Sequence, residues 1–404
     1  MIGQLDNDDR VGVLARLESN DWYLVETPFG LGWVRADLGT LFAPEGAALQ
    51  VIDPPPPPTA TPPPPPTPAP TLDNVVNPAQ TLQAGGQVTV PSGPPRSDFG
   101  LGGHVFSQDA AGVMQSIGMT WLKQQVRWER GETPANGAGP AIEGARARGM
   151  RILIGSVGWP REMDDLNGYM DEYAAYLGQV AALGPDAIEV WNEPNLSREW
   201  PLGRVDGATY TDMLRRAYTA IKAANPNVMV ISGAPAPTGF FSGGCTSQGC
   251  DDDVFLRQMV NAGALQYMDC QGVHFNEGTI SPGQVSGDPR GDHHSYYLLD
   301  LLALYDQITG AAVPLCITEF GYLTDEGLPP LPPGFEWAAD TTAAQHAAWL
   351  AEAVTIGRLS GRVRLMIVWN IDFTSYGADP RAGYAILRPD GSCPACQTLQ
   401  NALR

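Results

Sequence analysis

Two glutamates in this chain each follow a short apolar run. Glu193 follows AIEVWN (187–192), and Glu319 follows PLCIT (314–318). Runs of this length suit parallel strands that are buried on both faces. In barrel enzymes the catalytic groups lie at the carboxyl ends of such strands. The sequence therefore predicts two acids, from separate strands, that face one another across a pocket.

Paired carboxyl groups of this kind suit the hydrolysis of a glycosidic bond. One acid protonates the leaving oxygen, and the other acts on the opposite side of the anomeric carbon. Their surroundings must raise the pKa of the first acid and keep that of the second low. Glu193 and Glu319 meet this requirement by residue type. The alternative for each is a surface carboxylate at the start of a loop.

Other polar and aromatic residues end neighbouring runs. Asn192 directly precedes Glu193 and is placed to hydrogen-bond a sugar hydroxyl beside the reacting centre. Arg127 is expected to hold the nucleophile ionised through a charge-assisted bond, or else to neutralise another buried acid. His274 is a pocket residue or a satisfied core histidine. Trp369 offers a flat ring for the apolar face of a sugar.

A second group of residues is less specific. His104 ends the first predicted strand and either faces the pocket or caps the barrel. Trp128 and Trp159 lie near strand ends, where they either stack on sugars or pack in the core. The pair His293 and His294 lacks the ligand spacing of a zinc site, so we expect neither a metal nor a cofactor.

From residue 98 onward, strand-like and helix-like segments alternate. The eight candidate strands are 100–106, 121–128, 151–157, 187–192, 228–233, 271–275, 314–319 and 363–370. Helical spacing is clear at 165–183 and 206–224, and a short last helix is expected at 394–404. The acidic triplet 251–253 reads as a helix N-terminus or, alternatively, a calcium site. This alternation predicts an α/β fold, a (β/α)8 barrel over 98–404.

The segment before the barrel has a different composition. Twelve of the 17 residues in 54–70 are proline, which favours a stiff polyproline II rod roughly 50 Å long. We therefore predict a linker at 53–72 and a Gly/Pro-rich lead-in at 73–97. A docking ligand for proline-binding domains is the alternative for the rod. Residues 1–52 alternate apolar and polar residues between turns, which predicts a small all-β unit.

Two resemblances to known families follow from these motifs. The runs NDWYLV (20–25) and FGLGWVRA (29–36) resemble the bacterial SH3-like domain, with its first strand missing, so that the domain is expected to be truncated at Met1. Such domains often bind cell-wall material or decorate secreted proteins. Residues 98–404 resemble the retaining glycoside hydrolases of clan A. The run WNEP (191–194) resembles their acid/base motif on strand four, and TEFG (318–321) resembles their nucleophile motif on strand seven.

The clan A resemblance implies a TIM barrel that cleaves β-linked glycans by double displacement. It implies Glu193 as acid/base and Glu319 as nucleophile, and it implies four pocket residues: Arg127, Asn192, His274 and Trp369. One departure concerns the position two residues after the strand-six histidine, where many members have tyrosine and this chain has Asn276. Tyr322 is a candidate to support the nucleophile instead.

Composition limits the partners. The chain has 404 residues and a formal net charge of −20, which disfavours nucleic acid and anionic lipid. No apolar run approaches the roughly 20 residues of a membrane span. We expect a monomer that acts on a polysaccharide or oligosaccharide, with cell-wall contact through the SH3-like domain as a further partner. The alternatives are a non-catalytic glycan-binding barrel and a peptidoglycan hydrolase.

The six cysteines bear on the compartment. Cys245 and Cys250 bracket a short loop, as do Cys393 and Cys396, and such local pairs suit disulfides in an oxidising compartment. Reduced thiols or a metal site are the alternatives, and the pairing of all six remains open. The first residues do not resemble a signal peptide. We therefore expect a secreted or cell-surface protein whose signal has been removed or is absent from this chain.

Overall fold

The structure, a computed structural model, describes residues 94–241 and 243–404 and, before them, four strands. The chain divides into two units, Met1–Val75 and Val76–Arg404. Apart from those four strands, the predicted SH3-like domain, the proline linker and the lead-in up to residue 93 lie outside the described residues. The four strands are β1 (Gly12–Arg16), β2 (Trp22–Thr27), β3 (Gly30–Arg35) and β4 (Gln50–Val51). They form a sheet in the order β3-β2-β1-β4, with β1–β2 and β2–β3 antiparallel and β4 parallel to β1.

The second unit is built around eight parallel strands. They are β5 (Gly100–His104), β6 (Trp121–Arg127), β7 (Arg151–Val157), β8 (Ala187–Val190), β9 (Met229–Ser232), β10 (Gln271–Phe275), β11 (Leu315–Phe320) and β12 (Val363–Val368). Their spatial order is β10-β11-β12-β5-β6-β7-β8-β9. Each strand lies within a few residues of its predicted position. The predicted α/β barrel is therefore confirmed for this unit.

Helices connect successive strands and cover the sheet. The described helices are α1 (Ala111–Ile117), α2 (Ala138–Ala147), α3 (Leu166–Ala182), α4 (Gly207–Ala224), α5 (Asp252–Asn261), α6 (Leu298–Thr309), α7 (Ala343–Leu359) and α8 (Pro394–Ala402). Asp165 and Asp206 cap α3 and α4 by accepting from the backbone N–H groups of Gly168 and Thr209. Asp252 lies in the first turn of α5, as the helix interpretation of the acidic triplet predicts. No described helix combines the length and apolar character needed to cross a membrane.

The barrel closes between β9 and β10, where pairing is reduced to a bridge between Ile231 and Cys270. The Ser232 N–H donates to the Cys270 carbonyl at 3.2 Å across this seam. Cys270 also forms a disulfide with Cys316 on the next strand. Both cysteines belong to an apolar floor inside the barrel, which consists of Trp121, Leu153, Ala187, Met229, Ile231, Cys270, Cys316, Leu365 and Ile367.

Two further disulfides join cysteines close in sequence. Cys245–Cys250 closes the loop after β9, and Cys393–Cys396 lies at the start of α8. Both local pairs are therefore disulfides in the structure; the sequence favoured the first and left the second open. The Cys270–Cys316 pairing, which the sequence left open, completes the three disulfides.

Candidate active site

A buried lysine lies beyond the apolar floor. Lys123 on β6 has no exposed surface, and its Nζ lies 2.8 Å from Glu189 Oε2 and 3.1 Å from Glu319 Oε1. It also donates to the Thr318 carbonyl at 3.2 Å. Glycine on β7 leaves room for it, because a Cβ at Gly155 would lie 3.1 Å from Lys123 Cε. A buried ammonium group requires such partners, so Lys123 and its two carboxylates form one unit.

Glu319 reaches this unit through an irregularity in β11. Val273 on β10 pairs with Ile317, but the next residue, His274, pairs with Glu319. Thr318 is therefore an extra residue on β11, and a bulge of this kind re-aims the side chains around it. The Thr318 hydroxyl donates to Glu189 Oε1 at 2.6 Å. Two consecutive side chains of β11 thus contact the interior.

Both glutamates singled out in the sequence converge on His274. Its Nδ1 lies 3.1 Å from Glu193 Oε1 and 3.8 Å from Glu319 Oε2. Since both oxygens approach the same atom, they are separated by no more than those two distances combined. His274 is fully buried on β10. The structure therefore brings the carboxyl ends of β8, β10 and β11 together as one site.

The backbone that carries Glu193 is unusual. Trp191 has φ +75° and Glu193 has φ +45°, a left-handed conformation that non-glycine residues seldom adopt. The surrounding structure holds it in place: the Glu193 N–H donates to the Ala234 carbonyl at 3.0 Å. Asn195 accepts from the Ala236 N–H at 2.7 Å and donates to the Cys250 carbonyl at 3.1 Å. Strained backbone held in this way is common at functional sites.

Glu193 has a polar partner on each oxygen. Its Oε1 contacts His274 Nδ1, and its Oε2 accepts from the guanidinium of Arg198, which follows on the same segment. Burial alone would raise the pKa of Glu193, but the charge of Arg198 and the contact with His274 outweigh it and lower that pKa to about 2. Glu193 is therefore ionised while Arg198 is bound to it.

The ionised forms of the other site groups are also favoured. Burial would raise the pKa of Glu319, but the Lys123 and His274 charges lower it below its usual value. Burial would lower the pKa of Lys123, but Glu189 and Glu319 raise it instead. Burial would likewise lower the pKa of His274, but the two site glutamates raise it. Opposite charges thus favour one another's ionised forms inside the barrel.

Three predicted pocket residues lie at the carboxyl ends of strands: His104 ends β5, Asn276 follows β10 and Trp369 follows β12. His104 is buried and its Nδ1 lies 2.6 Å from Asn370 Oδ1. His104 pairs with Lys123 in the ladder between β5 and β6. Burial and the Lys123 charge lower the pKa of His104, while the Glu319 charge opposes them. The Trp369 ring lies 4.8 Å from that of Tyr384. The Tyr384 hydroxyl donates to the Asn276 carbonyl at 2.6 Å.

Asn192 offers a hydrogen-bonding group that is not used within the described residues. Its Oδ1 is buried and makes no hydrogen bond in the part of the chain that the structure describes. A buried acceptor without a partner is costly unless something else bonds to it. Asn192 directly precedes Glu193, so a hydrogen-bond donor on a ligand bound beside Glu193 would satisfy this oxygen.

Arg127 does not make the contact expected of it. Its guanidinium donates to the Gly158 carbonyl and lies 3.3 Å from Glu199, and it packs 4.4 Å from the centre of the Trp159 ring. Lys123, four residues earlier on the same strand, is the group that contacts Glu319. Lys123 lies deeper in the barrel than Arg127. The cation that contacts Glu319 is therefore Lys123, and the prediction of Arg127 in this role is wrong.

The structure also places three of the predicted aromatic residues. Trp128 is 2% exposed and stacks on Tyr176 among the helices, so core packing is the alternative that holds for it. Tyr322 is fully buried against Phe275 and Trp349, and its hydroxyl makes no hydrogen bond within the described residues, so it does not hydrogen-bond the predicted nucleophile. Trp159 is partly exposed, but Arg161 lies 4.0 Å from its ring centre in addition to Arg127.

The sequence analysis missed four charged residues of the site. Lys123 and Glu189 lie in the middle of strands treated as apolar. Opposite charges at inward positions of two buried strands signal an interior ion pair. Arg198 lies in a loop that gave no signal. Glu277 follows β10, and burial raises its pKa to about 7, although the Arg290 charge opposes this.

Similarity to solved structures concerns the fold. No family model and no curated protein matches the chain. A glucosidase from Croceicoccus marinus is 14% identical over 77% of this chain and 68% of its own, with a TM-score of 0.50. XacCel5A in complex with cellopentaose is 13% identical over 76% of this chain and 99% of its own, also with a TM-score of 0.50. At such identities these structures establish a shared barrel fold and nothing finer.

Proposed function

We propose that the barrel is a retaining glycoside hydrolase for β-linked glycans, with Glu319 as nucleophile and Glu193 as acid/base. The observation that carries the proposal is the approach of both carboxylates to His274 Nδ1, at 3.1 Å and 3.8 Å. Retaining enzymes separate the two groups by about 5–5.5 Å and inverting enzymes by about 6.5–9.5 Å. The upper limit set by the two contacts admits the retaining spacing and excludes most of the inverting range.

The proposed reaction has two displacements. Glu193 gives its proton to the leaving oxygen while the Glu319 carboxylate attacks the anomeric carbon, so the glycosidic bond breaks and a glycosyl ester forms. Glu193 then takes a proton from water, which attacks the same carbon and breaks the ester. Lys123 and His274 favour this role for Glu319 because their charges lower its pKa and keep it an ionised nucleophile.

The surrounding groups support a sugar substrate. The unsatisfied Oδ1 of Asn192 is an acceptor for a hydroxyl, and Trp369 offers an aromatic face. The shared barrel is compatible with this, since the Croceicoccus marinus protein is described as a glucosidase and the XacCel5A structure contains cellopentaose. Residue chemistry, and not that likeness, is the ground for the proposal.

Product stereochemistry tests the mechanism. The protein is incubated with β-linked polysaccharides and aryl β-glycosides, and the first product is followed by proton NMR. A β-configured product is expected, and an α-configured first product would overturn the retaining mechanism. An aryl 2-deoxy-2-fluoro-β-glycoside, which slows breakdown of the ester, is expected to leave its sugar on the peptide that contains Glu319 by mass spectrometry.

The same panel separates the alternatives. A non-catalytic glycan-binding barrel binds polysaccharides without releasing products, and its Glu193→Gln variant binds them equally well. A peptidoglycan hydrolase releases muropeptides from purified cell walls, so that substrate belongs in the panel.

A further inference from the structure

Arg198 lies on the solvent side of the site. It is five residues after Glu193, in the segment between β8 and α4, and its guanidinium donates to Glu193 Oε2. The Arg198 side chain is 63% exposed, whereas that of Glu193 is 9% exposed. Because water reaches the guanidinium, the pair is weaker than a buried one. A ligand that arrives from solvent therefore meets Arg198 before it meets Glu193.

This contact is in conflict with the proposed role of Glu193. A general acid must direct a protonated oxygen at the leaving group, yet Oε1 contacts His274 and Oε2 accepts from Arg198. His274 is fully buried on a strand, while Arg198 is largely exposed on a loop. Oε2 is consequently the oxygen that can be released, and Arg198 must leave it before proton transfer.

Charge balance indicates what would hold Arg198 once it has left. Arg127 contacts Glu199 at 3.3 Å, and Arg198 forms its ion pair with Glu193. With Glu193 protonated, Glu199 stays paired with Arg127, so the positive charge of Arg198 has no contacting carboxylate within the described residues. An anionic group on the substrate would compensate it.

We propose that Arg198 is a specificity-determining residue that selects glycans with a carboxylate on the sugar at the leaving-group side, such as β-linked chains containing uronic acids. The carboxylate binds the guanidinium as a two-pronged hydrogen-bonded pair, and Glu193 Oε2 becomes free to protonate the leaving oxygen. A neutral sugar cannot compete for Arg198 in this way. This inference rests on the proposed glycosidase function and adds a substrate class to it.

Other titratable groups also face Glu193 and contribute to its pKa. They are Glu199 on its own segment, His274 and Glu277 from β10 and the loop that follows it, Glu319 on β11, and the hydroxyl of Tyr384. None of them is exchanged in the test below, so a change in the pH profile reports Arg198.

The test compares one polysaccharide in two forms. A neutral β-linked polysaccharide that the protein cleaves is used beside the same polymer with its C6 hydroxymethyl groups oxidised to carboxylates. We expect wild-type kcat/KM to be at least tenfold higher on the carboxylated form. Arg198→Gln is expected to lose that preference, and Arg198→Lys to keep part of it. Arg215→Gln is the matched control, since Arg215 forms an exposed ion pair with Asp212 at 2.6 Å on α4, and it should keep the wild-type preference.

A pH profile separates selection from a purely structural role. On the neutral polymer, Arg198→Gln should raise kcat/KM, because Glu193 Oε2 is no longer held by the guanidinium. The basic limb of its kcat/KM profile should move to higher pH, because the pKa of Glu193 rises without that charge. An equal loss on both polymers with an unmoved basic limb would overturn the inference. So would a wild-type preference for the neutral form.

A binding measurement distinguishes failure of the inference from failure of the proposed function. Hydrolysis that depends on Glu193 and Glu319 but shows no preference for carboxylates would leave the function standing and remove the inference. If no polymer is cleaved, calorimetric titration of Glu319→Gln with carboxylated and neutral oligosaccharides still decides. Selection by Arg198 would be refuted if Glu319→Gln bound the carboxylated oligosaccharide no more tightly than the neutral one. It would also be refuted if adding Arg198→Gln to that variant left the binding of the carboxylated form unchanged.

Discussion

The two site glutamates are held in contrasting ways. Glu319 is bound by Lys123 and approached by His274, and both partners are fully buried on strands of the barrel. Glu193 shares His274, but its other partner is Arg198, which lies on a loop and is largely exposed. One carboxylate thus has permanent charged partners, and the other has a partner that a ligand can remove.

This difference matches the two roles in a double displacement. A nucleophile has to stay ionised throughout, and partners built into the barrel achieve that. An acid/base has to gain and lose a proton in each cycle, which requires an environment that changes. In the proposed mechanism, one barrel provides both environments around a single histidine.

Exchanging each glutamate should give the largest effects. Glu319→Gln is expected to abolish hydrolysis of every β-glycoside, because no glycosyl ester can form. Glu193→Gln is expected to lower kcat about 10²–10⁴-fold on natural linkages, and less on aryl glycosides whose phenol needs no protonation. Steady-state kinetics over a series of leaving groups measures this. If Glu277→Gln instead showed this dependence on the leaving group while Glu193→Gln did not, that result would contradict the assignment of Glu193 as acid/base.

Lys123→Met tests the permanent partner. It leaves Glu189 and Glu319 without their buried cation, which should reduce the free energy of unfolding by about 3–5 kcal/mol. The pKa of Glu319 should rise, so the acidic limb of kcat/KM moves to higher pH. Lys222→Met is the control, because Lys222 pairs with Asp269 at 2.6 Å where water reaches both side chains, 22% and 28% exposed, and it should cost less than Lys123→Met, about 1 kcal/mol. Equal losses in denaturant unfolding would refute the distinction.

Arg198→Gln tests the removable partner through stability. The pKa of Glu193 in the folded protein, about 2, lies below its unfolded value of about 4.3. The pair therefore stabilises the fold above the unfolded pKa, and this contribution is lost as pH falls toward about 2. Since Arg198 is exposed to water, we expect a difference of about 0–1 kcal/mol at pH 7. If the difference in free energy of unfolding between wild type and Arg198→Gln grew as the pH was lowered, the predicted direction of its pH dependence would be wrong.

Tyr322→Phe should have the smallest effect. The Tyr322 hydroxyl is buried and makes no hydrogen bond within the described residues, while its ring packs on Phe275 and Trp349. Removing an unsatisfied hydroxyl should leave the free energy of unfolding unchanged or raise it by about 1 kcal/mol. Activity should stay within twofold of wild type in the same assays. A tenfold loss would restore Tyr322 as a support for Glu319.

The barrel was predictable because the ends of its strands are visible in the sequence. The apolar runs before Glu193 and Glu319 stop at polar residues, and Asp165 and Asp206 mark the starts of two helices. These are local signals, so chain order and strand ends suffice to find them. The same signals placed His274 on the sixth strand, where the structure has it in contact with both glutamates.

Much of the charge network was not predictable from local signals. Which cation reaches Glu319 depends on depth inside the barrel, and Lys123 and Arg127 occupy equivalent faces of one strand. The extra residue at Thr318 is defined only by pairing with β10. Arg198 acquires its role because the loop that carries it folds back over Glu193. These are long-range contacts, which spacing along the chain does not encode.

The seam between β9 and β10 affects where the barrel opens locally. Cys270 forms the bridge to Ile231 across this thin stretch of ladder and is also bonded covalently to Cys316. Local opening should start where backbone pairing is sparsest, so we expect amide hydrogens to exchange with deuterium sooner at the edge of β9 than in β6 or β7. The Cys270–Cys316 disulfide keeps β10 attached to β11 during such openings. His274 therefore keeps its position opposite Glu319.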